Sequence, residues 1–332
     1  MQKKETILLA PLNWGLGHAT RCVPIIRGFL NDGHRVLLAG NGASLDFLKQ
    51  EFPKLTSVSL KTYSMRYSKS GSLFLILLLQ MPLFLTSSLW EYYQLKKLIR
   101  KHGLTQVVAD NRYGLWNKKV RSVLITHQLF IQLPKYLGFM SPLLHGFTRW
   151  LIHRFDECWV PDYENSETSL SGALSHGKPL PENVRFIGPL SRFTDYNLPE
   201  NYTTPGFKPE VLVLISGPEP FRSHFEKNME QRFTHGAQSV LMVCGKPGEK
   251  LPDNETINNQ TPLKKVSHLS TPNLYYHLKN TPQIISLAGY STLMDLHALE
   301  RDAELIPTPG QTEQEYLVSF HKSKKNRKSG RN

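Results

Sequence analysis

The chain has 332 residues, a formal charge of +13 and a hydrophobic share of 40%, a length that suits two domains of roughly 150 residues, each with a buried core. That composition excludes a collagen-like, disulfide-stapled or intrinsically disordered protein. Lys322, Lys324, Lys325, Arg327, Lys328 and Arg331 carry six of the thirteen excess charges, so a solvated basic tail at 321–332, taken as disordered, explains the bias. No aromatic interleaving, zinc spacing or recognition-helix pattern supports a nucleic-acid partner.

Met1 to Glu5 lack signal-peptide architecture, so a cytoplasmic address is expected. Residues 5–11 read as a strand, Asn13 to Gly17 as a loop and Ala19 to Leu30 as a helix, with Cys22 one of three widely spaced cysteines. Cys22, Cys158 and Cys244 show no ligand spacing, so they read as reduced thiols and no metal site is expected. His34 to Ala39 and Ala43 to Glu51 repeat the strand and helix signals, and Gln106 to Asp110 and Ser122 to Thr126 are two more buried strands. Such alternation implies a parallel sheet covered by helices.

Ser70 to Trp90 contains no charged residue, yet its dense apolar part of about thirteen residues is short of the roughly twenty that span a bilayer. Gln80, Pro82, Ser87 and Ser88 interrupt it. Basic residues flank it at Arg66, Lys69, Lys96, Lys97, Arg100 and Lys101. Residues 73–85 therefore suit either a core helix or a segment resting on an anionic membrane surface.

Phe193 to Pro209, rich in proline and poor in apolar periodicity, reads as a linker between a first domain at 1–192 and a second at 210–320. The pattern restarts at Glu210 with VLVLISG, a helix at Phe221 to Phe233 and the strand-like SVLMVCG at 239–245. Strands at Gln283 to Leu287 and Ala303 to Ile306 follow, with helices at Ser291 to Leu299 and from near Thr312. The fold class is α/β, two Rossmann-like doubly wound domains whose strand ends face one cleft.

Candidate residues follow those strand ends. Gly15 and Gly17 allow close backbone approach, and His18 stands at the mouth of the first helix, where an imidazole with an unperturbed pKa of about 6.5 could deprotonate a hydroxyl. Asp110 could orient His18, with Asn111 and Arg112 beside it in the acceptor loop, and His127 could serve as base instead. Ser216 and Gly217 end a strand of the second domain. Gly289, Tyr290, Ser291 and Thr292 lead into a helix whose amides suit a phosphate, and Asp295 lies where a carboxylate could meet a ribose diol. Gln311, Thr312, Glu313 and Gln314 could bracket sugar hydroxyls, although Thr312 and Glu315 also match a helix capping box.

GLGHATR, GYSTLMD and PGQTEQE together resemble segments of the GT-B glycosyltransferases related to the lipid-II-forming GlcNAc transferase and the plant galactolipid synthases. DNRYGL, THQL, ECWVPD, IGPLSRF and ISGPEP are similar to phrases of a bacterial glycosyltransferase subgroup. The resemblance implies a metal-independent, inverting hexosyltransferase with His18 as base or acceptor contact. It further implies a nucleotide-sugar donor, by default a UDP-sugar, on the residues from Ser216 to Gln314 named above. The acceptor it implies is lipid-linked or another glycan on the inner face of the membrane, with no cofactor. Two departures bear on turnover: Ser286-Leu287-Ala288 replaces an expected Arg before GYS, and the sequence after Leu317 reads as a shortened end. A nucleotide-sugar 2-epimerase and a non-catalytic nucleotide-sugar binder are the alternatives.

Overall fold

A computed structural model describes residues 4–60, 80–234, 236–247, 256–258 and 261–329. The first sheet has seven parallel strands: β1 (Thr6–Pro11), β2 (Arg35–Gly40), β3 (Thr56–Ser59), β4 (Gln106–Asp110), β5 (Arg121–Ile125), β6 (Glu157–Val160) and β7 (Val184–Phe186), in the order β3-β2-β1-β4-β5-β6-β7. Buried on both faces, β1 and β4 are continuous apolar runs such as Ile7, Leu8 and Leu9, with no polar alternation. Helices α1 (Gly17–Asn31), α2 (Gly42–Glu51), α3 (Met81–His102) and α4 (Ser141–Ile152) connect them.

The second sheet contains β8 (Val211–Leu214), β9 (Val240–Val243), β10 (Thr256–Asn258), β11 (Thr261–Val266), β12 (Gln283–Leu287) and β13 (Glu304–Ile306). Its order is β10-β11-β9-β8-β12-β13, parallel except for the β10–β11 pair. Helices α5 (Phe221–Phe233), α6 (Thr271–Asn280), α7 (Tyr290–Ala298) and α8 (Thr312–Ser329) complete this half.

Strand order reverses between β1 and β4 in one sheet and between β8 and β12 in the other. At such switch points neighbouring loops part in opposite directions and leave a crevice beyond the strand ends. Pro11 pairs in register with Asp110, so the loop carrying His18 and the carboxylate of Asp110 leave the sheet side by side.

Two expectations need correction. Residues 193–209 are no free linker, because Phe193 is buried among Leu212, Leu241 and Leu274, with Tyr196 and Phe207 packed beside it. Aromatic side chains bury well without any helical or strand period. The tail expected to be disordered from residue 321 is helical through Ser329. Leu317 is buried with Leu170 and Leu174, and His321 Nε2 and Lys324 Nζ each lie 2.8 Å from a first-domain carbonyl, at Leu170 and Ser169. Those anchors hold a helix that its own sequence marks poorly.

The apolar run Leu73 to Leu79 lies outside the described residues; among those described, no helix is long and apolar enough to cross a membrane. Phe193→Ala should destabilise the second half by about 3–5 kcal/mol through the cavity it leaves. Denaturant unfolding would measure it, and a loss below about 1 kcal/mol would mean that the segment is a loose hinge after all.

Candidate functional site

Two glycine loops meet where the halves face each other. A Cβ on Gly15 would stand 3.2 Å from the Gly217 Cα, and both residues hold left-handed backbone, φ +100° and +106°. Ser291 Oγ donates to the Gly17 carbonyl at 2.8 Å. The amino ends of α1 and α7 thus converge, and each brings unpaired amides and a partial positive charge to the same place. Beside this junction lies a cavity of about 270 Å³ that draws on both halves.

Behind its first-domain wall sits Asp110, fully buried at the end of β4. Arg21, equally buried, grips the carboxylate with a two-pronged contact, Nε to Oδ2 at 2.5 Å and Nη2 to Oδ1. His18 Nδ1 lies 2.7 Å from Oδ1. Burial alone would raise the Asp110 pKa, but Arg21 and then His18 outweigh it and hold the group far below the usual carboxylate range. Burial opposes the Arg21 charge as well, and Asp110 more than compensates. The Cys22 thiol is pushed well up by burial and by Asp110, so it stays protonated and unreactive.

His127 follows β5, and its Nε2 meets Glu313 Oε1 from α8 at 2.7 Å. Gln128 Nε2 donates to the other Glu313 oxygen. The His127 ring stacks on Tyr290, centroids 4.1 Å apart and planes 8° from parallel, while the Tyr290 hydroxyl donates to the Pro161 carbonyl at 2.8 Å. Burial lowers the His127 pKa despite Glu313. Glu313 is lowered although burial opposes it, because His127, then His18 and Arg21, favour its charge. First and second halves are thereby joined by hydrogen bonds across the cleft.

Gly15, Gly17, His18, Asn111 and His127 line the cavity on one side. Ser216, Gly217, Gly289 to Thr292 and Gln311 to Gln314 line it on the other. Gly289 is extended before α7 with no side-chain cap, which leaves the first-turn amides facing the cleft. The capping box expected from Thr312 and Glu315 does not form: α8 begins at Thr312, whose hydroxyl donates to the Gln132 carbonyl at 2.8 Å, and Glu315 Oε1 accepts from the Gly310 amide at 3.0 Å. Gln314 Oε1 accepts from the Thr308 amide at 2.8 Å and braces its own loop.

Two predicted positions fall elsewhere. Arg112 does not reach the cleft: left-handed backbone at Asn111 (φ 53°) turns the chain, and the Arg112 guanidinium pairs with Glu91 Oε1 at 2.9 Å in the buried interior. Asp295 lines an adjoining cavity of about 80 Å³ that shares Gly17, Ser216, Ser291 and Thr292 with the larger one. There it accepts from Ser191 Oγ at 2.6 Å, and burial lifts its pKa to about 6 in spite of Arg192 and Ser191. Sequence reasoning missed Arg21, three residues after His18 and so on the same helix face; a cation among Ala19, Cys22, Val23 and Ile26 was the available signal. It also missed Trp14, Gln128, Ile131 and Gln132, which line the cleft. Ala288, where the resemblance expects Arg, is fully buried.

No protein-family model matches the chain. A protein of Methanosarcina acetivorans described as an uncharacterized glycosyltransferase is 23% identical over 312 residues, covering 91% of this chain and 79% of that one. The solved glycotransferase of kitacinnamycin matches with a TM-score of 0.59 at 14% identity, over 97% of this chain and 85% of its own. Arabidopsis thaliana UGT89C1, solved with UDP-L-rhamnose, matches with 0.55 at 12%, over 96% and 83%. The fold is that of GT-B glycosyltransferases, and the chain is similar in sequence to proteins described as glycosyltransferases.

Asp295 carries a pH signature. Its folded pKa of about 6 exceeds the 3.8 of a free aspartate side chain, so the folded protein holds this proton more tightly and ionisation costs stability as pH rises between those values. Relative to Asp295→Asn, the wild type should lose on the order of 2 kcal/mol from pH 4 to pH 7. Parallel stability–pH curves for the two proteins, from denaturant titration, would show that the carboxylate is not buried.

Proposed function

We propose that this protein transfers a hexosyl group from a nucleotide-sugar to an acceptor hydroxyl, inverting the anomeric centre and requiring no metal. One observation carries the reading: an Asp110-oriented imidazole and two converging helix amino ends share a single cleft at the switch points of both sheets. With Nδ1 bound to Asp110, His18 Nε2 takes the proton of the acceptor hydroxyl as its oxygen attacks the anomeric carbon. The bond from that carbon to the diphosphate oxygen breaks on the opposite face, and a single displacement of this kind inverts the centre. Asp110 steadies the imidazolium that results.

The departing diphosphate would rest on the amides of Tyr290, Ser291 and Thr292, with the dipole of α7 offsetting its charge. Gln311 and Glu313 would face the sugar. Trp14 Nε1 and Asn111 Oδ1 belong to cleft residues and are buried without a partner among the described residues. The donor is taken as a UDP-sugar because of the resemblance and because UGT89C1 was solved with one.

An apolar surface supports a lipid-linked or membrane-associated acceptor, as in the lipid-II-forming relatives the sequence resembles. Leu89, Trp90 and Tyr93 on α3 and Phe139, Leu143 and Trp150 near α4 are exposed. Arg154 connects the groups, lying over Trp150 at 3.7 Å and Trp116 at 5.3 Å, and Trp116 packs on Tyr92 of α3. From His127 to Phe155 the sequence contains no acidic residue, and Ile131 and Gln132 of that stretch line the cleft. A lipid carrier held at this surface would present its head group to His18.

His18→Ala should lower turnover by about 10²–10⁴-fold while calorimetric affinity for a nucleoside diphosphate stays within a few-fold. Full turnover in the variant would exclude His18 as the base. Vesicles containing anionic lipid should co-sediment the protein, less so as salt rises, and a Leu143→Ser, Trp150→Ser double variant should bind more weakly. Equal recovery of both proteins in the supernatant at low salt would rule this surface out.

A further inference from the structure

Two histidines face the cleft, and either could serve as a base if its unprotonated nitrogen pointed inward. The contacts around Arg21 decide between them. A guanidinium has only donors, and Arg21 Nη1 lies 3.3 Å from His127 Nδ1. That nitrogen must therefore be the unprotonated one, which leaves the His127 proton on Nε2, where it is donated to Glu313 Oε1 at 2.7 Å. His127 is then held neutral with both ring nitrogens engaged.

His18 has the opposite arrangement. The ionised Asp110 carboxylate only accepts, so its 2.7 Å contact with His18 Nδ1 requires a proton on that nitrogen. Arg21 Nη2 lies 3.1 Å from the same atom because both groups converge on one carboxylate oxygen. The His18 lone pair is thus on Nε2, for which no partner is seen among the described residues. Arg21 is fully buried, and its fork on Asp110 leaves Nη1 in one orientation, toward His127.

We infer that Arg21 is a positioning residue that sets the His127 tautomer directly and, by holding Asp110 ionised, the opposite tautomer of His18, making His18 the cleft's base and denying that role to His127. It acts without touching substrate. The functional consequence rests on the transfer reading above, but the tautomers exist in the unliganded protein and are measured without any substrate. Burial together with the Arg21 charge opposes protonation of His127, in the same direction as the geometry.

The test is long-range ¹⁵N imidazole NMR on histidine-labelled full-length protein, with resonances assigned through His18→Gln and His127→Gln. The wild type should show His18 protonated at Nδ1 and His127 protonated at Nε2, with His127 not titrating across the usual histidine range. In Arg21→Lys, which keeps a charge for Asp110 but lacks the fork, His127 should average between tautomers or begin to titrate. In Glu313→Gln it should keep its Nε2 proton. A wild-type His127 protonated at Nδ1 would overturn the inference even if the variants failed to fold, and so would a tautomer lost in Glu313→Gln but kept in folded Arg21→Lys. Correct tautomers in a protein with no transferase activity would sink the functional reading and leave this one standing.

Discussion

A carboxylate sealed at the end of a parallel sheet cannot stay ionised alone, and Asp110 avoids neutralisation because Arg21 meets it with a complementary fork. Removing one partner of such a buried pair typically costs about 3–5 kcal/mol, so α1 is tied to β4 at a defined height and rotation. That tie places His18 at the cleft, points the third guanidinium nitrogen toward His127 and, through Glu313, connects the first half to α8 of the second. One charge pair accounts for the orientation of several cleft groups that are remote in sequence.

Much of this was legible in the sequence wherever burial is two-sided. Apolar runs such as ILLA and VVAD announce central strands, and the loops that follow them must then lie at the switch points, which is why His18, Asp110, His127, Ser216 and Gly289 were named correctly as neighbours of a cleft. Short peripheral strands such as β6 and β7 have too few residues for any period to emerge. The interior turn of Arg112 and the partner of Asp295 were hidden for a different reason. A residue beside a functional loop has two faces available, and which one it takes depends on a single backbone turn or on a partner such as Glu91 or Ser191, none of which is local in sequence. Arg21 was hidden because a basic residue within a helix is ordinarily a solvated one, and only the three-dimensional position of Asp110 makes this one interior.

The carboxyl-terminal helix shows the same limit from the other direction. Its charged sequence suggests a chain left in solvent, yet Leu317, His321 and Lys324 fasten it to the first half around Leu170. The loop that receives it is itself braced by Asp162, which accepts from Ser169, Leu170 and Ser171. The halves are therefore linked in several kinds of chemistry, among them a hydrogen bond at Glu313, a backbone contact at the glycine loops, and a mixed apolar and polar contact along α8.

The meeting of Gly15 and Gly217 has a mechanical consequence. With no side chain between them, the lips of the cleft touch main chain to main chain, so their closest spacing is a hard stop given by atomic radii and does not depend on what is bound. A side chain at Gly15 would act as a shim against the Gly217 backbone, widening the gap and moving His18 away from the amides of α7. The distance across which a reaction here must take place is thus gauged by the missing methyl group of Gly15.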